Sequence, residues 1–345
     1  MDSTVKSLLL NELKRSDQNE DWQTSILDFI CEWKNQQPFC VVKTSGSTGQ
    51  PKPIRLYKKA MKQSALLTIT HFSIKKHAHA LLCLPADFIA GKMMLVRAEL
   101  GAWKLWCSKP STVVTIPQHV EFDFVAMTPH QVFSTIDAFG YNYFKNIQTL
   151  LIGGGDIPPQ RLTDIKKLPS TVFHSYGMTE TITHVAVKNI SIGEPYFNAL
   201  PKVQFSVNQQ HCLRISAPHI SQTIQTNDIV KLISPTQFEW QGRLDFVINS
   251  GGIKLHPELL EQAFAKYIPT PFFFSGATHT ELGECLVLVV TEKTGLPTKK
   301  ELSKFFPTIH LPKEVWVIDR IIFTETNKIN RKASLNLIQE KLTYR

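Results

Sequence analysis

Nine consecutive residues, Thr44-Ser45-Gly46-Ser47-Thr48-Gly49-Gln50-Pro51-Lys52, hold two glycines, four hydroxyls and one lysine directly after the apolar run Phe39-Cys40-Val41-Val42. Glycines adopt positive φ and let backbone approach a ligand closely. Successive N–H groups in such a loop form a concave anion site. The hydroxyls add donors and Lys52 a mobile positive charge, which is the chemistry of gripping a polyphosphate. A Gly/Ser surface turn is the competing reading, but the strand-like lead-in and the Pro-Lys ending argue against it. A Walker loop does not fit, because the position of its second glycine is Pro51.

Five further stretches carry groups that could act with this loop. Leu150-Leu151-Ile152-Gly153-Gly154-Gly155-Asp156 runs from a strand into glycines, but a dinucleotide fingerprint would need a glycine where Pro158 stands; a tight turn accounts for it equally well. Tyr176-Gly177-Met178-Thr179-Glu180-Thr181 reads as a strand end and a helix start that Thr179 or Glu180 could cap. In Gln225-Thr226-Asn227-Asp228, the aspartate by itself reads as a turn former. Gly242–Lys254 and Thr326-Asn327-Lys328-Ile329-Asn330-Arg331 complete the set. A lysine so near the end of the chain is ordinarily solvated.

In this order the stretches resemble the adenylate-forming (acyl-CoA synthetase) superfamily. The first is similar to its T-S-G-S-T-G-x-P-K loop, which implies that Thr44, Ser45, Gly46, Ser47, Thr48, Gly49 and Lys52 hold the β- and γ-phosphates of ATP. Gly153, Gly154 and Gly155 resemble the segment that lies along adenine. Tyr176-Gly177-Met178-Thr179-Glu180 matches Y-G-x-T-E without a gap. The resemblance implies that the Tyr176 ring stacks on adenine, Thr179 contacts the α-phosphate, and Glu180 holds Mg²⁺, a hard cation suited to carboxylate oxygen. Asp228 and Arg243 are then the ribose ligands, with Asn227 replacing a glycine of the family pattern; asparagine tolerates left-handed backbone better than most residues. Asp245 is implied as the hinge of a small domain. Ser250, Gly251 and Gly252 are implied to line the CoA tunnel, and Lys328 to bridge the substrate carboxylate and the α-phosphate.

The acid is read from Pro85-Ala86-Asp87-Phe88-Ile89-Ala90-Gly91 and Lys92–Arg97. This region is similar to o-succinylbenzoate–CoA ligases of menaquinone biosynthesis, which makes Phe88, Gly91 and Arg97 the acyl-binding residues and Arg97 the partner of a second carboxylate. An arginine fork suits that task; a solvated arginine on a helix surface is the alternative. Two rival functions stand beside this one. Asp87 could hold an amino-acid ammonium for transfer to a separate carrier protein, or the chain could be a catalytically inactive nucleotide sensor.

The elements that must position these groups follow from pattern. Trp22, Ile26, Phe29, Ile30 and Trp33 predict an amphipathic helix over 20–34. Strands near His79–Pro85, Phe124–Met127, Thr149–Ile152 and Thr171–Phe173, with helices at Lys59–Thr70 and 91–102, predict an α/β layered sheet with parallel strands. From about Val203 short β segments take over. After Asp245 a small α+β unit is expected, with strands near Phe246–Asn249, Phe272–Ser275, Cys285–Val290 and Val315–Phe323 and helices near Pro257–Tyr267 and Lys299–Phe306. The reading is therefore an α/β protein with an ATP- and acyl-binding domain over 1–244 and a mobile domain over 245–345, shortened at its N-terminus relative to the resembling family.

Composition excludes other classes. At 345 residues the chain exceeds one ordinary core, and its 43% apolar content is that of a globular protein. The net charge of +9 is scattered, with no basic stripe for nucleic acid. Neither a signal peptide nor a membrane span is expected. Six cysteines without a C-x-x-C pair read as reduced, buried residues of a cytoplasmic protein. The expected partners are a carboxylic acid, ATP and CoA, with Mg²⁺ as cofactor and homodimerisation left open.

Overall fold

Apolar runs flanked by amphipathic helices build the centre of one large sheet. In the computed structural model, which describes residues 8–16, 18–43, 53–324 and 329–345, the first part of the chain alternates strands β1 (Leu8–Leu9), β2 (Phe39–Lys43), β3 (Pro53–Tyr57), β4 (His79–Leu82), β5 (Lys104–Cys107), β6 (Phe122–Met127), β7 (Ile147–Ile152) and β8 (Thr171–Gly177) with helices α1 (Asp21–Lys34), α2 (Lys58–His71), α3 (Ile89–Gly101), α4 (Pro129–Phe139) and α5 (Leu162–Lys166). Strands β5, β4, β6, β7 and β8 lie parallel in that order. Both faces of β4 are buried: Ala80 and Leu82 join one core, and Leu81 joins the other. That two-sided burial is why these strands read as continuous apolar runs.

The same sheet continues antiparallel through β9 (His184–Asn189), β10 (Phe197–Ala199), β11 (Gln204–Val207), β12 (Cys212–Ser216), β13 (Ile224–Ser234) and β14 (Gln237–Arg243), in the order β8-β9-β10-β14-β13-β12-β11. The antiparallel part thus begins at β9, upstream of the expected change near Val203. The connection between β8 and β9 is too short for a parallel crossover, so β9 must return beside β8.

A second sheet, in the order β16-β15-β18-β19-β20 with β17 on β18, comprises β15 (Ile248–Ser250), β16 (Ile253–Leu255), β17 (Phe272–His279), β18 (Gly283–Val290), β19 (Glu314–Ile318) and β20 (Ile338–Thr343). Helices α6 (Pro257–Phe264), α7 (Lys299–Leu302) and α8 (Arg331–Leu335) accompany it, and its core is separate, centred on Phe264, Phe274 and Leu288. A one-turn 3-10 helix, Leu244–Phe246, stands between the two sheets, so the strand expected from Phe246 starts at Ile248. The strand expected to reach Phe323 stops at Ile318, where Asp319 and Arg320 pair with each other in solvent.

Three local readings change. Cys31 is exposed, because α1 buries Ile26, Phe29 and Trp33 and turns Cys31 outward; the other five cysteines are buried as expected. Asn227 needs no left-handed backbone, since it lies inside β13 and its φ is not positive. Gly91, at the start of α3, is required by packing: a Cβ there would stand 2.2 Å from the Pro85 carbonyl oxygen. Gly91→Ala should therefore cost about 2–3 kcal/mol of stability, as overpacking against fixed backbone does, and thermal unfolding measures it. Among the described residues no helix is long and apolar enough to cross a membrane.

Candidate functional site

The carboxyl end of β8 meets β13 and β14 around one buried carboxylate. Asp228 and Arg243 face each other in the β13–β14 ladder. The Asp228 carboxylate accepts from the Tyr176 hydroxyl at 2.7 Å and from the Trp240 indole N–H at 3.3 Å, and the Arg243 guanidinium lies 3.6 Å away. The Asp228 backbone N–H is held by the Thr226 hydroxyl at 3.0 Å. Burial and the neighbouring Asp228 push the Tyr176 phenol well above its ordinary value, so it remains a donor. The Tyr176 ring is fixed edge-on to Phe238 at 5.0 Å and tilted on Phe197 at 5.8 Å. A carboxylate has about four acceptor positions, and these two donors leave capacity for vicinal hydroxyls.

Beside it, Gly153–Gly155 follows β7. A Cβ on Gly153 would stand 2.5 Å from the Ser175 hydroxyl, and Gly154 has φ +83°. The Gly155 carbonyl faces the His174 ring nitrogen at 3.1 Å. Burial lowers His174 to about 4, so the imidazole is neutral and its N–H donates to that carbonyl. Residues 153–155 are thereby tied to the same strand end as Tyr176.

The short connection after β8 carries Thr179 and Glu180. Gly177 has no room for a side chain: a Cβ would lie 2.4 Å from the Thr183 carbonyl. The Thr181 hydroxyl closes the turn, accepting from the Met178 N–H at 2.9 Å and donating to the Thr183 carbonyl at 2.7 Å. Thr179 is buried and Glu180 exposed, so the helix start expected here is instead a compact turn that presents the Glu180 carboxylate to solvent.

Thr183, at the end of this turn, reaches the second part of the site. The Arg97 guanidinium donates to the Thr183 hydroxyl at 3.1 Å, and Thr183 and Ser64 hydroxyls lie 3.2 Å apart. Arg97 is only 2% exposed, its Nε has no partner, and no acidic group pairs with it among the described residues. Burial lowers its pKa to about 9. His184, bonded to the Thr68 hydroxyl at 3.3 Å, is held neutral by burial and by the nearby Arg97 cation. A desolvated cation without a counter-charge is costly, so an anion brought against Arg97 would be stabilised there. The helix-surface reading of Arg97 is excluded. Phe88 caps the start of α3 and is half-buried, and Gly91 packs on Pro85. Asp87 is exposed and accepts from Ser25 on α1 at 3.0 Å.

At the junction of the sheets, Asp245 accepts from Arg243 at 2.5 Å and from the Asn227 amide at 3.1 Å. The side chain of Asn227 thus serves the junction. Gly251 and Gly252 have φ +57° and +82° in the β15–β16 turn; a Cβ on Gly252 would meet nothing within 4 Å, and Ser250 is buried. Arg331 is clamped by Glu261 at 2.6 and 2.8 Å and stacked over Phe246 and Phe273. Thr44, Ser45, Gly46, Ser47, Thr48, Gly49, Lys52 and Lys328 lie outside the described residues; the strands that bracket the first seven pair with Lys43 opposite Pro53.

The structure therefore brings Tyr176, Asp228, Arg243 and Asp245 together, and joins Glu180 to Arg97 through one six-residue turn. It adds Trp240, His174, Thr183, Ser64, Thr68 and His184, none of which the sequence reading singled out. The one available signal was Ser64 and Thr68, hydroxyls four apart on the buried face of α2 with Met61 and Ala65.

A family model described as AMP-binding enzyme matches residues 2–210. The 2-succinylbenzoate–CoA ligase of Oceanobacillus iheyensis is 22% identical, with 96% of this chain and 79% of that protein aligned. The ligase of the same name from Listeria monocytogenes is 21% identical over 96% and 75%. Among solved structures, an acyl-CoA synthetase (AMP-forming)/AMP-acid ligase II-like protein from Dyadobacter fermentans is 32% identical with a TM-score of 0.63, covering 95% of this chain and 97% of that one. The fold is also that of o-succinylbenzoate CoA synthetase from Bacillus subtilis, solved with its acyl-adenylate intermediate, at a TM-score of 0.75 and 18% identity over 88% and 70%.

Proposed function

The chain belongs to the AMP-binding enzyme family and is an AMP-forming acid–CoA ligase, and we propose that its acid carries a second, remote carboxylate and is 2-succinylbenzoate. The observation that carries this choice is Arg97, a buried guanidinium whose described surroundings supply hydroxyls and a neutral imidazole but no carboxylate. Asp87 does not favour an amino acid, because it is exposed and engaged with Ser25. The named relatives agree with the choice.

In this reading a carboxylate oxygen of the acid attacks the α-phosphorus of ATP, the bond to pyrophosphate breaks, and acyl-AMP forms. The CoA thiolate then attacks the acyl carbon and AMP leaves. Thr44–Lys52 would hold the departing pyrophosphate, Thr179 and Lys328 the α-phosphate, and Asp228 and Arg243 the ribose. Tyr176, donating to Asp228 in this structure, would border the adenine along Gly153–Gly155. The exposed Glu180 carboxylate fits Mg²⁺, an oxygen-seeking cation that would neutralise charge on the phosphates. Preorganised donors aimed at that charge are the main source of rate, and Lys328 adds positioning of two anions. Asp245, at the one-turn link between sheets, would be the hinge on which residues 245–345 rotate to bring Ser250–Gly252 to the thiol. The need for ATP and CoA supports a cytoplasmic location.

A pyrophosphate-release assay across a panel of carboxylic acids, with ATP and with or without CoA, tests this reading. Release with 2-succinylbenzoate and not with amino or fatty acids is expected. Release with amino acids alone would replace it, and none with any acid would favour a nucleotide sensor.

A further inference from the structure

Glu258, in the first turn of α6, is buried against the link between the two sheets and takes part in none of the chemistry above. One carboxylate oxygen accepts the Arg243 backbone N–H at 3.3 Å. The other is buried without a partner and occupies the place of a side chain on Gly242, where a Cβ would stand 2.7 Å from it. Gly242 has φ +133°, so its missing side chain and its backbone conformation together admit the carboxyl. This contact joins the small domain to the large one immediately before Asp245. Nearby, Gln160 of the large domain donates to the Ala265 carbonyl at 2.9 Å.

A carboxylate in that seat has poor company. Its own helix contributes Glu261, which repels it; α8 contributes Arg331, whose guanidinium is already held bidentate by Glu261. From β14 it receives only the Arg243 amide, because that guanidinium is turned to Asp228 and Asp245. The face toward β17 is taken by Glu261, which accepts the Phe274 N–H. An uncharged carboxyl suits such a seat far better than an anion.

We propose that Glu258 is a positioning residue for the domain rotation: its uncharged carboxyl holds the small domain against Gly242–Arg243, and its ionisation favours the rotated arrangement in which water reaches it. The inference rests on the reading of Asp245 as the hinge. Burial raises the Glu258 pKa from an ordinary 4.5 to about 7 in the present arrangement. The proton therefore stabilises this arrangement fully below 4.5, and that stabilisation is lost as pH rises to 7. Between pH 6 and pH 8 the ratio of present to rotated arrangement should fall about tenfold.

Pulsed-EPR distances between spin labels on Ile192→Cys in the large domain and Lys304→Cys in the small one read this ratio. Cys31→Ser removes the exposed native thiol. The unmodified Glu258 protein should show the shift with pH, and Glu258→Gln should keep the acid-side distribution at every pH. A distribution that ignores pH in the protein with Glu258 overturns the proposal without any Glu258 variant, and a Gln variant that still follows pH places the proton elsewhere. Adding ATP and 2-succinylbenzoate, then CoA, separates the two levels. Distances that move with ligands and not with pH remove the latch alone, and distances that move with neither remove the hinge.

Discussion

Arg97→Met is expected to lower kcat/KM for 2-succinylbenzoate about a hundredfold to a thousandfold while leaving thermal stability unchanged or raised. Truncating one partner of a desolvated charge pair costs about 2–5 kcal/mol, which spans that range. The stability effect has the opposite sign, because methionine fills similar volume and removes a buried cation that no carboxylate among the described residues compensates. An aromatic acid lacking the remote carboxylate should lose little. Steady-state kinetics on the two acids, with thermal unfolding of both proteins, measure all three quantities; equal loss for both acids would mean that Arg97 serves the fold rather than the substrate.

Lys328→Ala should reduce acyl-adenylate formation about a hundredfold to a thousandfold, the usual cost of removing one preorganised donor from developing charge. Transfer to CoA from supplied acyl-AMP should change far less, because a rotation of the small domain about Asp245 would withdraw this lysine before the thiol step. Single-turnover assays of the two halves separate them. Equal damage to both would contradict the assignment of Lys328 to the first half alone.

Much of the candidate site was legible because its residues are local in sequence. Tyr176–Glu180 and Gly242–Asp245 each place several candidate groups at or just beyond one strand end, so the order of stretches along the chain carried most of the argument. What joins them is not local. That the Tyr176 hydroxyl reaches Asp228, or that Trp240 adds a donor to the same carboxylate, depends on β9 and β10 inserting between β8 and β14. Arg97 illustrates the limit best. Its neighbours Met93, Met94, Leu95 and Val96 suggest burial, yet only the packing of α2 against α3 shows that Ser64 and Thr183 surround it and that no carboxylate among the described residues does. Asn227 was misread because a turn was expected where a strand runs. Glu258 was marked only as part of a predicted helix start, because its distinction is a hole left by a glycine sixteen residues earlier.

The most direct measurement incubates the purified protein with 2-succinylbenzoate, ATP, Mg²⁺ and CoA and follows AMP and the acyl-CoA by mass spectrometry. Stoichiometric AMP, pyrophosphate and 2-succinylbenzoyl-CoA are expected, with acyl-AMP accumulating when CoA is left out. ADP in place of AMP, or consumption of ATP with no acyl-AMP and no thioester, would contradict the account.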